Sequence, residues 1–247
     1  MPRFFVKKEA ISTEERLITI NGDDARHIAR ALRMAVGDRL TVSDGEGTEY
    51  TGNLVKIRDE ECTVSYSEAA PSVGEPRAKI TLYMAYPKGD KLETIVQKAV
   101  ELGVSSVVPF ISERCIKRPS ADKKDNKTER LERIAHEAAK QCGRGILPSV
   151  SSPISLSELI REIGAYSLTL FCYEGKDAVS LKQILSKNRD PESIAVIVGS
   201  EGGFSEKEAL EFKAAGAKTV NLGPRILRCE TAPDYCLSAI SYELELK

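Results

Sequence analysis

The stretch Ile194-Ala195-Val196-Ile197-Val198-Gly199-Ser200-Glu201-Gly202-Gly203-Phe204-Ser205-Glu206-Lys207-Glu208 carries three signals in succession. An unbroken apolar run, bounded by turn residues, reads as a strand buried on both faces. The glycine-rich loop lets backbone N–H groups come close to a ligand. Ser205 followed three residues later by Glu208 is a capping box, so a helix begins there and continues to Ala215. Strand, glycine loop and capped helix in that order are one unit of a parallel α/β sheet, with any ligand at the carboxyl ends of the strands. The plain alternative is an ordinary strand-to-helix turn. The loop is not G-x-G-x-x-G, and it comes late in the chain, where a dinucleotide fingerprint would come early.

The same rhythm extends outward. Ile80–Tyr86, Val104–Phe110, Leu168–Tyr173 and Thr219–Leu222 are further apolar strands. Lys91–Leu102, Thr128–Cys142, the segment opened by the Ser155-x-x-Glu158 capping box, and Thr231–Leu246 are helices. Strands that are apolar rather than alternating predict a doubly wound, mainly parallel sheet. The first seventy or so residues differ. Asp23 or Asp24 caps a short helix through Arg33. Short runs at Arg39–Ser43, Glu49–Ile57 and Cys62–Ser67, separated by Asp44-Gly45-Glu46-Gly47 and Asp59-Glu60-Glu61, suggest a small β-barrel. The stretch Ala69–Pro76 reads as a linker. The boundary is therefore set at residue 72, giving domains 1–72 and 73–247.

Composition excludes several classes. The chain has 247 residues, 41% hydrophobic and 30% charged, with a net charge of -1. That is a globular composition, neither disordered nor uniformly basic. No apolar run reaches the roughly 18–20 residues of a membrane span. Charges interrupt Pro2-Arg3-Phe4-Phe5-Val6-Lys7-Lys8 too early for a signal-peptide core, so a cytoplasmic location is expected. The six cysteines (62, 115, 142, 172, 229 and 236) form no C-x-x-C pair, and His27 and His136 are the only histidines, so no metal is expected.

A second loop, Leu222-Gly223-Pro224-Arg225-Ile226-Leu227-Arg228-Cys229-Glu230-Thr231-Ala232, joins the last strand to the last helix. Thr231 with Asp234 resembles a helix cap, and Pro233 suits a first turn. Arg225, Arg228 and Glu230 lie between turn and cap; surface ion pairing is the plain account of them. Glu137, Gln141 and Arg144 share one helical face by their spacing. Residues 112–149 hold ten Lys/Arg against six Asp/Glu, whereas the first 73 residues hold ten against thirteen. Positive charge thus gathers around Arg114, Lys117, Arg118, Lys123, Lys124 and Lys127, where a phosphate backbone would be attracted.

At these loops the chain resembles the RsmE family, bacterial methyltransferases that act on N3 of a uridine in 16S ribosomal RNA. The resemblance runs nearly end to end: Pro2-Arg3-Phe4-Phe5, Asp24 through Asp38, Lys88-Gly89-Asp90-Lys91, Lys98 through Val104, Ser112-Glu113-Arg114-Cys115, Glu137-Ala138-x-x-Gln141-Cys142-x-Arg144, and the two C-terminal loops. Ser200 stands where the family often has proline, and Cys229 where threonine is common. The resemblance implies an α/β fold: a SPOUT methyltransferase domain with a C-terminal trefoil knot, preceded by a small PUA-like β-barrel domain. It also implies S-adenosylmethionine as cofactor, 16S rRNA in the small ribosomal subunit as partner, and a homodimer through the knot region.

By that resemblance the cofactor-binding residues are Leu170, Tyr173, Gly199, Ser200, Glu201, Gly202, Gly203, Leu222, Gly223, Ile226, Leu227 and Arg228. The RNA-binding candidates are Arg3, Arg26, His27, Arg30, Arg33, Arg114, Lys117, Arg118, Gln141 and Arg144. Methylation of uracil N3 requires loss of the imide proton, and an arginine beside the nitrogen favours the resulting anion. Arg228 is the first candidate for that role. Glu201 and Glu230 are candidates for accepting the proton or orienting the arginine. The competing expectations are a SPOUT enzyme that methylates a ribose 2′-oxygen of tRNA or rRNA, and a non-catalytic RNA-binding or ribosome-assembly module.

Overall fold

The computed structural model describes residues 1–116, 124–175 and 177–246. Two compact units form: Met1–Glu75 with Ala139–Leu147, and Pro76–Ala138 with Pro148–Lys247.

In the first unit the strands are β1 (Arg3–Phe5), β2 (Ile11–Ser12), β3 (Leu17–Asn21), β4 (Arg39–Ser43), β5 (Thr48–Ile57) and β6 (Glu61–Pro71). They form one curled half-barrel sheet in the order β1-β4-β5-β6-β3-β2, antiparallel except for β1 against β4. Alternate residues of these strands (Ile18 and Ile20, Leu40 and Val42, Cys62 and Val64) meet Phe4, Ala25, Ile28 and Leu54 in the core. The Ala69–Pro71 stretch is not linker but the end of β6, paired with Thr48–Tyr50. The turn between β4 and β5 is held by Asp44 Oδ1, which accepts from the N–H groups of Glu46 and Thr48. Helix α1 covers Asp23–Arg26 and continues as a π turn over His27–Ala31. Its cap is Gly22 at φ +67°, not an aspartate. Asp23 already belongs to the helix and pairs with Arg26, while Asp24 pairs with Lys140.

The second unit comprises β7 (Lys79–Ala85), α2 (Lys91–Glu101), β8 (Ser106–Ile111), α3 (Lys124–Cys142), β9 (Ser149–Val150), β10 (Ile154–Ser155) and α4 (Leu156–Glu162). There follow β11 (Leu168–Cys172), β12 (Val179–Ser180), α5 (Leu181–Lys187), β13 (Ser193–Val198), α6 (Glu206–Ala214), β14 (Lys218–Asn221) and α7 (Thr231–Leu244). Every pairing is parallel, and the order is β10-β8-β7-β13-β11-β14-β12, with β9 beside β8. Ala195, Val196 and Ile197 are successive and all fully buried, so both faces of the sheet are covered there. Both expected capping boxes form, Ser155 with Glu158 and Ser205 with Glu208. The expected cap at Thr231 does not. Thr231 is already helical, Glu230 occupies the cap without a side-chain bond, and Asp234 accepts instead from Lys98 Nζ at 2.9 Å.

In the strand order, β13 and β14 flank β11, although the chain visits them as β11, β13, β14. Parallel pairing puts the carboxyl ends of all three on one edge of the sheet, together with those of β7 and β8. The loops that follow these five strands therefore gather along that edge.

Candidate active site

A cavity of about 730 Å³ opens at this edge, within the roughly 300–1,000 Å³ usual for small-molecule sites. Tyr173, Gly199, Ser200, Glu201, Gly202, Gly203, Leu222, Gly223, Ile226, Leu227 and Arg228 line it. Leu170 does not; it is fully buried within β11. Arg114, expected at RNA, also lines the cavity, as do Lys91, Phe204 and Cys229.

The Gly199–Phe204 loop is held from below and from the side. Phe204 is buried against Phe171 (ring centroids 4.9 Å apart) and Phe212 (5.5 Å), and Tyr173 stacks on Phe171 at 5.3 Å. Gly203 takes φ +62° and donates its N–H to Ser200 O at 2.9 Å, closing a tight turn. Glu208, the capping-box carboxylate, is 2% exposed. It accepts from the N–H of Ser205 at 2.8 Å and from the N–H of Glu113 at 2.7 Å, tying the start of α6 to the loop after β8. Ser205 Oγ in turn donates to Glu113 at 2.8 Å. That loop carries Arg114, whose guanidinium donates to Gly202 O at 3.2 Å. A Cβ on Gly202 would lie 2.9 Å from both Arg114 Cβ and Arg114 O. Gly202 is thus small where the backbone and Cβ of Arg114 pack against it.

The charged groups assemble around a residue the sequence reading left on a helix. Lys91, the first residue of α2, places Nζ 3.0 Å from Glu201 and 3.1 Å from Glu230. It also donates to Cys229 Sγ at 3.7 Å, and that thiol donates to Glu230 at 3.1 Å. The Lys88 N–H donates to Glu201 at 3.3 Å. The bonds to Glu201 and Glu230 raise the Lys91 ammonium further above its ordinary value. Glu230 falls to about 2, chiefly through the thiol's hydrogen bond, then its own backbone N–H and Lys91. Burial pushes Glu201 up, but its own backbone N–H, Lys91 and the Lys88 N–H outweigh it and hold the carboxyl below the usual range. Burial, then Glu230, lifts the Cys229 thiol to about 12. Both glutamates therefore face Lys91, not Arg228. Arg225 and Arg228 are exposed, and among the described residues neither guanidinium makes an ion pair or hydrogen bond, so ion pairing accounts for Glu230 in this loop but not for its two arginines. A lysine at the start of an amphipathic helix looks like surface in sequence; only the sheet order brings it between two distant glutamates.

The RNA candidates separate into paired and open groups. In the first unit Arg26 pairs with Asp23 and Glu60, and Arg30 with Asp59. Arg3 pairs with Glu49 at 2.7 Å and donates to Arg144 O. Arg33 is exposed at φ +52°, His27 is exposed with its ring edge-on to Phe4, and Gln141 is exposed. Arg144 is 3% exposed and forms a two-pronged pair with Glu75, Nε to Oε1 at 2.9 Å and Nη2 to Oε2 at 2.7 Å. The expected Glu137–Gln141–Arg144 face does not form, because α3 ends at Cys142 and Gly143 turns at φ +82°. Arg144 is therefore a structural cation. Lys117, Arg118 and Lys123 lie outside the described residues. Among the described residues no group of three or more His, Cys, Asp or Glu is gathered as a metal site, and no helix is long and apolar enough to cross a membrane.

Comparison with known proteins agrees with this architecture. Residues 74–241 match the family model of an RNA methyltransferase domain, and residues 20–65 that of an RNA methyltransferase PUA domain. The chain is 33% identical to the ribosomal RNA small subunit methyltransferase E of Bacillus subtilis (strain 168), over 100% of this chain and 98% of that protein. It is 32% identical to the protein of that name from Synechocystis, over 94% of this chain and 75% of the other. The crystal structure of a ribosomal RNA small subunit methyltransferase E from Neisseria gonorrhoeae, bound to S-adenosyl methionine, superposes with a TM-score of 0.87 at 28% identity, covering 99% of this chain and 98% of that one. A half-barrel PUA unit, a parallel α/β unit of SPOUT type and a full-length match at this identity together place the chain in the ribosomal RNA small subunit methyltransferase E family.

Proposed function

We propose that the protein transfers a methyl group from S-adenosylmethionine to N3 of a uridine in the 16S rRNA of the small ribosomal subunit. The observation that carries this reading is the convergence, in one cavity, of the loops after β11, β13 and β14 with the unpaired arginine Arg228. The cavity suits the cofactor in size. It also suits it in chemistry, since its walls mix backbone groups at Gly199–Gly203 and Gly223 with the side chains of Val198, Leu222, Ile226 and Leu227. The Ser200 hydroxyl there is buried and has no hydrogen-bond partner among the described residues. When bound, S-adenosylmethionine supplies an electrophilic methyl group carried on a sulfonium.

The chain's own residues then have three tasks. The loops hold the two reactants in line, from which a large share of the acceleration comes. Arg228 presents a guanidinium to the uracil edge and favours the imide anion as N3 gives up its proton to solvent water. Glu201 and Glu230, held ionised by backbone N–H groups, the Cys229 thiol and Lys91, are weak bases in this state, so their contribution is to shape the loops. The uracil N3 edge must be unpaired or extruded to reach the cavity. Arg26, Arg30, Arg33 and Arg114 supply phosphate contacts, the first two by exchanging their exposed carboxylate partners. A trefoil knot through these loops is consistent with β13 and β14 flanking β11. The exposed Ile226, Tyr235 and Tyr242 support a homodimer through the same region. A cytoplasmic location accords with a ribosomal substrate.

The test is methyl transfer from labelled S-adenosylmethionine to small subunits lacking the modification, with nucleoside mass spectrometry. N3-methyluridine is expected. A 2′-O-methyl nucleoside would refute the choice of atom, and cofactor binding without any product would refute the substrate.

A further inference from the structure

Lys91 sits where helix physics disfavours it. A cation at the first position of a helix opposes the helix dipole, which favours carboxylates there. Glu93 in the first turn of α2 pairs with Arg130 instead; the carboxylates that meet the Lys91 ammonium are Glu201 and Glu230, 110 and 139 residues further along the chain. These two belong to different loops of the cavity, one after β13 and one just before α7. Each contacts the same Nζ, so their carboxylate oxygens lie no further apart than the two contacts laid end to end. Without the ammonium this is a pair of like charges at close range. Glu230 also closes the segment whose Arg228 carbonyl accepts from the N–H groups of Thr231 and Ala232, both at 2.9 Å. Fixing Glu230 therefore fixes the backbone from which Arg228 projects.

We infer that Lys91 is a positioning residue: its ammonium staples the Gly199–Gly203 loop to the Arg228–Glu230 segment, and the cavity keeps its ligand-binding form only while that staple holds. The inference rests on the reading of this cavity as the S-adenosylmethionine site. No single contact carries the staple, since isolated and partly exposed ion pairs are weak. Its strength lies in one cation serving two carboxylates, with the Lys88 N–H and the Cys229 thiol completing their hydrogen bonds.

The experiment is calorimetric titration of S-adenosylmethionine into the full chain, as wild type, Lys91→Met and Lys91→Arg, from pH 5 to pH 8, with thermal melts of each. Lys91→Met is expected to bind roughly tenfold or more weakly, a change of about 1.4 kcal/mol. Its affinity is also expected to recover towards pH 5, because Glu201 and Glu230 would then face only each other, Cys229 and the more distant Lys98, and a proton taken up by one carboxyl relieves their repulsion. Wild type stays flat over that range, and Lys91→Arg recovers most of the affinity. A merely structural lysine would lower the melting temperature without this pH dependence. Wild-type affinity and a flat pH profile in Lys91→Met would overturn the inference. Should Lys91→Met fail to fold, Lys91→Arg decides: affinity within roughly tenfold of wild type upholds the charged staple, and a larger loss overturns it. Wild type that binds no S-adenosylmethionine would instead overturn the reading of the cavity, and the inference with it.

Discussion

Replacing Arg144 by methionine tests the assignment of this arginine to the structure rather than to RNA. Methionine keeps most of the aliphatic volume and removes the charge. Glu75, whose side chain is 15% exposed, would lose both prongs of the pair. It would keep the N–H groups of Gly145 at 2.8 Å and Ile146 at 3.1 Å. Stranding one partner of a buried pair costs about 3–5 kcal/mol. The retained N–H bonds and the partial exposure of Glu75 put the expected loss near the lower figure, about 3 kcal/mol. Domains of this kind are stable by only about 5–15 kcal/mol, so the loss is readable. Native-state hydrogen exchange at the buried amides of β4 and β5 reports the opening of the first unit alone. The double variant Glu75→Gln with Arg144→Met should recover part of the loss, because no charge is then stranded. A loss below about 1 kcal/mol would refute the reasoning, since that is the scale of a surface pair. So would a drop in the salt dependence of RNA binding, which would mean that Arg144 meets phosphate.

Arg228→Ala should leave S-adenosylmethionine binding within about threefold of wild type while slowing single-turnover methyl transfer by roughly a hundredfold or more; unchanged turnover would remove Arg228 from the reaction. Gly202→Val should abolish cofactor binding by driving the loop off Arg114, as a flat isotherm would report, and a normal isotherm would refute that packing argument. Cys229, with its thiol near 12, should react with iodoacetamide at pH 8 far more slowly than in the urea-unfolded chain, because the thiolate is the nucleophile; equal rates would contradict its burial beside Glu230.

Much of the second unit was legible because parallel strands are apolar on both faces, as in Ile194–Val198, and because Ser155 and Ser205 carry their glutamate partners three residues on. The cavity was legible at its glycines for the same local reason. What was not legible depends on long-range pairing. β1 is three residues long and exists because Arg3–Phe5 pairs with Thr41–Ser43, which no local periodicity announces. Arg144 fits a helical face on spacing alone, yet Gly143 ends the helix first and the distant Glu75 decides its fate. Lys91 could be placed at the start of a helix but not between two glutamates, because its partners are set by sheet order, which the linear pattern does not contain. The threading of a knot is further still from any local signal.

The neighbour relations of β7 also have a consequence for biosynthesis. This strand pairs with β8, made soon after it, and on its other side with β13. During elongation that second side waits for roughly a hundred residues, many seconds at about 5–20 residues per second. Its hydrogen-bonding groups, in a strand reading Lys-Ile-Thr-Leu-Tyr-Met-Ala, are meanwhile a template for any other extended chain. The centre of the sheet, and with it the cavity, can close only when Val198 and then Asn221 are available. The folded yield of this protein is therefore set by a race between elongation to those residues and strand pairing with a neighbouring nascent chain.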